Sequence, residues 1–75
     1  MITREQTRAA RALIDWQQER LSTAAGIGLS TVKDFESGKR TPHQRNLTAI
    51  QQALVTAGIE FIAENGGGAG VRLRK

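Results

Sequence analysis

The chain has 75 residues and a formal net charge of +4 at pH 7, and this length fits one small domain with a modest core. It contains no cysteine, which excludes disulfides and thiolate metal sites, and its 39% hydrophobic and 24% charged residues argue against disorder. No segment approaches the roughly 20 apolar residues of a membrane span, and the first residues lack the apolar core of a signal peptide. We therefore expect a cytoplasmic protein without membrane contact.

The basic residues indicate which class of partner to consider first. Eight of the 11 cations are arginine, whose forked guanidinium suits phosphate and guanine, and the calculated isoelectric point is near 10.8. Charge alone leaves two alternatives open, namely nucleic-acid binding and a solvated basic surface without a ligand.

The first predicted element is a helix over about residues 3–14, which are rich in good helix formers. Thr3 and Gln6 fit a capping box at its start, because the Gln6 side chain can reach back to the Thr3 amide. The apolar stripe that helical spacing predicts for this helix consists of Ala9, Leu13 and Trp16.

A second helix is predicted over about residues 17–25, and Gly26 follows where helices commonly end in a left-handed conformation. Its predicted inner face consists of Leu21, Ala24 and Ala25. After the tight turn 26–28, a third helix is predicted over residues 29–37, with Val32 and Phe35 on one face.

The fourth predicted helix covers about residues 44–57 and follows a loop that contains Gly38 and Pro42. Its apolar stripe, at steps of three, four and three residues, consists of Leu47, Ile50, Leu54 and Ala57. The tail alternates in residues 58–62 and again in 71–74, with a glycine-rich stretch between, so we expect a short β-hairpin. The predicted fold class is all-α, a compact four-helix bundle over residues 1–57 with a C-terminal β extension over residues 58–75.

The second and third predicted helices, joined by a tight glycine turn, have the helix-turn-helix pattern. In this arrangement the second helix of the pair enters a major groove about 12 Å wide, and the first holds it in place by packing. The segments that fit the pattern are 18–21, 25–27, 30–32 and 35–42. Through them the sequence resembles the phage Cro/repressor type of helix-turn-helix regulator, often called XRE-like, over about residues 3–57.

This resemblance implies roles for individual residues. The positions that match base contacts are Leu29, Ser30 and Asp34, with Lys33 on the adjacent edge. The positions that match contacts to the DNA backbone are Gln18, Thr31, Lys39 and Arg40. Gln18 also matches a residue that braces the recognition helix, and Arg11 and Glu36 match a partly buried salt bridge between the first and third helices.

The chain departs from the family pattern where the recognition helix begins. Gly28 stands where the family usually has a serine or threonine N-cap, and Leu29 and Ser30 stand where longer side chains such as glutamine are common. Leu29 can touch a thymine methyl and Asp34 can accept from a cytosine amine, so the target sequence stays open.

The cations near the recognition helix form a candidate phosphate-binding edge, for which the alternative is a solvated surface. The residues of this predicted edge are Lys33, Lys39, Arg40 and Arg45. Arg4 and Arg8, near the start of the first helix, are weaker candidates for the same role.

One recognition helix reads only a few base pairs, so we expect a homodimer on two half-sites about 34 Å apart. An isolated hairpin is marginally stable in water, which favours its pairing with another surface. The residues that we predict to build the dimer surface are Ile59, Phe61, Val71 and Leu73. The alternative is that these residues cover their own helical core.

These observations predict a transcriptional regulator, more specifically a repressor, that binds a double-stranded DNA operator. No catalytic arrangement is recognisable, so we do not expect an enzyme. A single histidine, His43, without a cysteine or a close pair of carboxylates is a poor metal site, and we expect no cofactor. Three alternatives remain: an antitoxin-like protein that binds a partner protein and autoregulates its operon, a helical interaction module, and a non-specific nucleoid protein.

Overall fold

The computed structural model describes residues 2–74 and contains four helices followed by a β-hairpin. The helices and strands, in chain order, are α1 (Arg4–Leu13), α2 (Gln18–Ala25), α3 (Leu29–Ser37), α4 (Gln44–Thr56), β1 (Ile59–Ile62) and β2 (Gly70–Leu73). The predicted fold class, a four-helix bundle with a small C-terminal sheet, is confirmed. The predicted bundle (residues 1–57) begins at Met1 and the predicted β extension (residues 58–75) ends at Lys75, and these two residues lie outside the described part of the chain. None of the helices within residues 2–74 is long and apolar enough to cross a membrane.

The predicted capping box fixes the start of α1. The backbone N–H of Gln6 donates to Thr3 Oγ1 (3.0 Å), and the Thr3 N–H donates to Gln6 Oε1 (2.9 Å). The side-chain nitrogen of Gln6 also donates to the carbonyl of Gly70 (2.9 Å) and to that of Ile62 (3.3 Å). This one side chain therefore caps α1 and anchors the hairpin to it.

The inner face of α1 differs from the predicted stripe. Ala9 and Leu13 face solvent, and Leu13 is 44% exposed, whereas the residues that α1 buries are Gln6, Thr7 and Ala10. The prediction was wrong for Ala9 and Leu13, because it counted only apolar residues, whereas Trp16, its third member, does pack against the core. Gln6 and Thr7 can be buried because their polar atoms find partners, as when Thr7 Oγ1 donates to the Thr3 carbonyl (3.0 Å).

The turn between α2 and α3 has the predicted glycine geometry. Gly26 adopts a left-handed φ of +70°, and the N–H of Ile27 donates back to the Ser22 carbonyl (3.1 Å), which ends α2. Gly28 then begins α3 and provides no side-chain cap. On α2 the buried residues are Leu21 and Ser22, while Ala24 of the predicted inner face is exposed.

All four helices and the first strand contribute to one hydrophobic core. Its buried apolar residues are Ile2, Ala10, Leu21, Val32, Phe35, Leu47, Ile50, Leu54 and Ile59. Because α3 contributes only Val32 and Phe35 to this list, one side of that helix packs inward and the opposite side stays free.

The hairpin pairs its strands in antiparallel register, with Ile59 opposite Leu73 and Phe61 opposite Val71. These four residues share one face of the sheet, since side chains alternate along a strand. Ile59 is fully buried, Phe61 and Val71 pack against the core, and Leu73 is 45% exposed. The face predicted to bind a second copy therefore rests on the chain's own helices, and Ile59 has no surface to offer a partner.

Candidate nucleic-acid interface

Helix α3 has a buried side and an outward side. Its buried residues are Val32, Phe35 and Glu36. At 100° per residue, the opposite side of the helix is centred on Ser30 and Asp34. Ser30 is exposed and Asp34 is half-buried. Thr31 and Lys33 flank this outward face. Leu29, which is half-buried, lies seven residues before Glu36 and therefore next to the buried side, at the first position of the helix.

A shallow cleft brings several of the predicted contact residues together. Its lining consists of Ser30, Thr31, Asp34, Arg40 and Pro42. Arg40 belongs to the loop after α3, and backbone hydrogen bonds hold this loop in place. The N–H groups of Lys39 and Arg40 both donate to the Asp34 carbonyl, at 2.9 and 3.2 Å. The basic loop is therefore fixed beside the outward face of α3.

A second cleft continues from the first toward the start of α4. Its lining consists of Thr31, Arg40, Thr41, Pro42, His43 and Asn46. His43 is the N-cap of α4 and makes no side-chain cap hydrogen bond. The free N–H groups of a helix N-terminus attract anions. Asn46 was not among the predicted contacts, although a polar residue in the first helical turn after a basic loop indicates a candidate contact.

The cations around α3 are exposed and have no carboxylate within salt-bridge distance, a property that they share with Arg8, Arg20 and Arg74 among the described residues. Within residues 2–74, neither Lys33, Lys39, Arg40 nor Arg45 takes part in a salt bridge, and all four are exposed. In contrast, Arg4 pairs with Glu5, Arg11 with Glu36 and Arg72 with Glu60. The edge of α3 therefore presents positive charge that no carboxylate of the described chain neutralises directly. Arg45, in the first turn of α4, lines neither of the two clefts.

The structure places Arg11 and Glu36 in direct contact. Arg11 Nη2 donates to Glu36 Oε1 (2.6 Å) and Arg11 Nε donates to Glu36 Oε2 (2.7 Å), which is a bidentate pair. Glu36 is 2% exposed and the Arg11 side chain 18% exposed. Gln18 Nε2 also donates to Glu36 Oε1 (3.1 Å), so α1, α2 and α3 meet at one carboxylate.

Gln18 was also assigned a contact with the DNA backbone. Its amide nitrogen is directed toward Glu36, and its side chain remains half-exposed at the start of α2. This geometry fits the bracing role, and the amide oxygen is the atom left for a further partner.

The described residues contain no cluster suited to a metal ion. Within residues 2–74, no group of three or more histidine, cysteine, aspartate or glutamate residues is arranged to hold a metal ion. Trp16 packs against the core and lies under the guanidinium of Arg20, which is 4.9 Å from the ring centroid. The sole tryptophan therefore packs against the core, as its place in the predicted apolar stripe indicated.

Comparison with known families agrees with this geometry. The sequence model described as helix-turn-helix matches residues 8–54, which run from α1 through most of α4 and include the whole outward face of α3. The match ends before the hairpin. No curated protein matches the chain at a significant level.

Proposed function

The chain belongs to the XRE-type helix-turn-helix family, a family of DNA-binding regulatory domains and not of enzymes, and from this premise we propose that it is an operator-specific transcriptional repressor. In this proposal α3 enters the major groove of double-stranded DNA in the cytoplasm of a bacterium or a phage-infected cell. Occupation of the operator then blocks polymerase.

The observation that carries this proposal is the outward face of α3 with its border of unpaired cations. Its polar side chains line an open cleft, and Lys33, Lys39 and Arg40 lie in or beside it without a carboxylate partner in the described chain. Phosphate contacts fix the register of a protein on DNA, and base-edge contacts select the sequence.

The two classes of contact fall on different residues in this proposal. The residues that face the bases are Leu29, Ser30, Lys33 and Asp34. Leu29 suits a thymine methyl, and the Asp34 carboxylate suits the amine of cytosine. The residues that contact phosphates are Gln18, Thr31, Lys39, Arg40 and Arg45, with Asn46 added by the cleft at the start of α4.

We propose that the protein acts as a homodimer, since one α3 covers only a few base pairs. In the hairpin, Arg74 N–H donates to the Gly58 carbonyl (2.7 Å). Antiparallel pairs alternate between hydrogen-bonded and non-hydrogen-bonded, so the backbone groups of Val71 and Leu73 point away from β1. An edge strand of this kind can pair with the same strand of a second copy. Leu73, 45% exposed, supplies apolar surface beside that edge.

The test of DNA recognition is selection of duplexes from a randomised library, followed by affinity measurements at several salt concentrations. We expect enrichment of one sequence and a linear fall of log K with log salt. Arg40→Gln should weaken binding severalfold and reduce the salt slope by about 0.9, the contribution of one phosphate contact. Arg20→Gln removes the same charge on α2, away from α3, and should leave the slope unchanged.

Other outcomes identify the alternatives. Binding without an enriched sequence indicates a non-specific nucleoid protein and contradicts operator recognition. Absence of binding at low salt contradicts the proposal and favours an interaction module or an antitoxin-like protein that requires a partner.

A further inference from the structure

Three arginines of α1 converge on the C-terminal end of α3. Arg4, Arg8 and Arg11 are spaced four and three residues apart, which places them on one face of the helix. Arg11 binds the Glu36 carboxylate, and Arg8 Nη1 donates to the Glu36 backbone carbonyl. Arg4 lies over Gly38, where an added Cβ would come 1.7 Å from Arg4 Nη1. The Arg4 side chain therefore occupies the space that a larger residue at position 38 would need.

The end of α3 has a carbonyl that the turn itself does not satisfy. Gly38, with φ +82°, closes the helix: its N–H donates to the Phe35 carbonyl (3.1 Å), and the Lys39 N–H donates to the Asp34 carbonyl (2.9 Å). The partner of the Glu36 carbonyl is the Arg8 guanidinium. Arg8 thus completes the hydrogen bonding that the last turn of a helix leaves open.

Charge favours the same arrangement. The C-terminus of a helix carries partial negative charge, and a cation placed there stabilises it. The last turn of α3 contains no basic residue of its own. The arginines of α1 supply this charge from outside the helix, and the planar guanidinium of Arg8 can hold a carbonyl in a fixed direction.

We propose that Arg8 is a positioning residue for DNA binding and not a phosphate ligand. Its bond to the Glu36 carbonyl holds the end of α3, and with it the loop that carries Lys39 and Arg40, at the orientation in which α3 and the loop contact DNA together. This inference rests on the proposed function, because orientation matters only if α3 reads DNA. The inference also gives Arg8, until now a weaker candidate for phosphate contact, a different role.

The test is Arg8→Gln, with Arg20→Gln as the control that loses the same charge from α2. The probe is the duplex that the wild-type protein selects from a randomised library, compared with a duplex of unrelated sequence. We expect Arg8→Gln to bind the selected duplex about tenfold more weakly, which is the lower limit for the loss of one hydrogen bond from a charged group. Affinity for the unrelated duplex should fall less, and the salt slope should stay as in the wild type.

The salt slope separates the two roles of Arg8. A phosphate ligand would lower the slope by about 0.9 when replaced, on both duplexes alike. That result would overturn the inference, and so would unchanged affinity for the selected duplex. All affinities are measured at a temperature where circular dichroism shows every variant folded, so that a loss of stability alone does not reduce binding.

Amide hydrogen exchange tests the same bond without DNA. The N–H groups of Gly38 and Lys39 should exchange about tenfold faster in Arg8→Gln than in the wild type, because the end of α3 opens locally more often. In Arg20→Gln their exchange should be unchanged. Equal protection in Arg8→Gln and the wild type would overturn the inference. If the wild type selects no sequence, the proposed function fails, and the exchange rates still decide whether Arg8 holds α3.

Discussion

Glu36 joins three helices through one buried carboxylate. Replacing it with glutamine turns one acceptor oxygen into a donor that faces the N–H groups of Arg11 or Gln18. It also leaves the Arg11 guanidinium, 18% exposed, without a charged partner. Removing one member of a buried pair costs about 3 kcal/mol, and we expect Glu36→Gln to lower the free energy of unfolding by about that amount. Urea denaturation measures the change.

Three further variants, namely Glu19→Gln, Arg11→Met and a double variant, show whether the loss comes from the pair. Glu19→Gln removes an exposed carboxylate from α2 and should change the free energy of unfolding by less than about 0.5 kcal/mol. In the double variant Arg11→Met with Glu36→Gln, the total loss should be smaller than the sum of the single losses by about 1–3 kcal/mol. Strict additivity would contradict direct coupling between the two side chains.

At the scale of elements, the hairpin carries its own ion pair on its outer face. Arg72 Nε and Nη2 donate to the two carboxylate oxygens of Glu60, at 3.2 and 2.9 Å. These hydrogen bonds, and then the charge of Arg72, lower the pKa of Glu60 below its ordinary value of 4.5. Because the folded-state pKa of Glu60 is lowered, the ion pair stabilises the hairpin when the pH is above the ordinary pKa of 4.5. This contribution is lost as the pH falls through the folded-state pKa.

This gives a prediction for acid pH. In an NMR titration of the Glu60 carboxyl carbon, the midpoint should lie below 4.5 in the wild type and rise toward that value in Arg72→Gln. The protection factors of the hairpin amides, which correct for the slower intrinsic exchange at acid pH, should fall as the wild type is taken below the Glu60 midpoint. Both groups are exposed, so the effect on global stability should be small. Identical midpoints in the two proteins would show that the ion pair does not form in solution.

The helices also show which features of the fold could be predicted from the sequence. The ends of α2 and α3 were predictable because Gly26 and Gly38 adopt left-handed φ values of +70° and +82°, which other residues adopt at a cost. The inner pair of α3, Val32 and Phe35, was predictable from helical spacing. The start of α1 was also predictable, because the capping box of Thr3 and Gln6 is a local sequence pattern.

The inner face of α1 and its partners were not predictable from such patterns. Gln6 is buried because its amide meets the Gly70 carbonyl, 64 residues away in sequence. Arg8 meets the carbonyl of Glu36, 28 residues away. Hydrophobic periodicity cannot detect a polar side chain whose hydrogen-bond partner is a distant backbone group. The alternation of apolar and polar residues predicted the strands of the hairpin, because it is a local pattern. It could not predict that the apolar face of the hairpin packs on the helices, because that contact is between distant parts of the chain.

At the scale of the whole molecule, the proposed homodimer requires a surface that joins two copies. Among residues 2–74 the exposed large hydrophobic side chains are Leu13 of α1 and Leu73 of β2. Since the backbone groups of β2 that point away from β1 lie beside Leu73, we place the dimer contact at this strand. Two β2 strands paired in this way would extend each hairpin into one four-stranded sheet.

The prediction is that Leu73→Asp dissociates the dimer while Leu13→Asp does not, because a charge beside the pairing edge must be desolvated when the strands meet. Sedimentation equilibrium at tens of micromolar protein measures the mass of each variant and of the wild type. On the selected duplex, the wild type should protect two half-sites whose centres lie about 34 Å apart, one turn of B-DNA, and Leu73→Asp should need a higher concentration to protect either. Dissociation by Leu13→Asp alone would move the interface to the outer side of α1. A wild-type monomer with a single protected half-site would contradict dimerisation itself and leave α3 to act alone, with affinity set by the cations beside it.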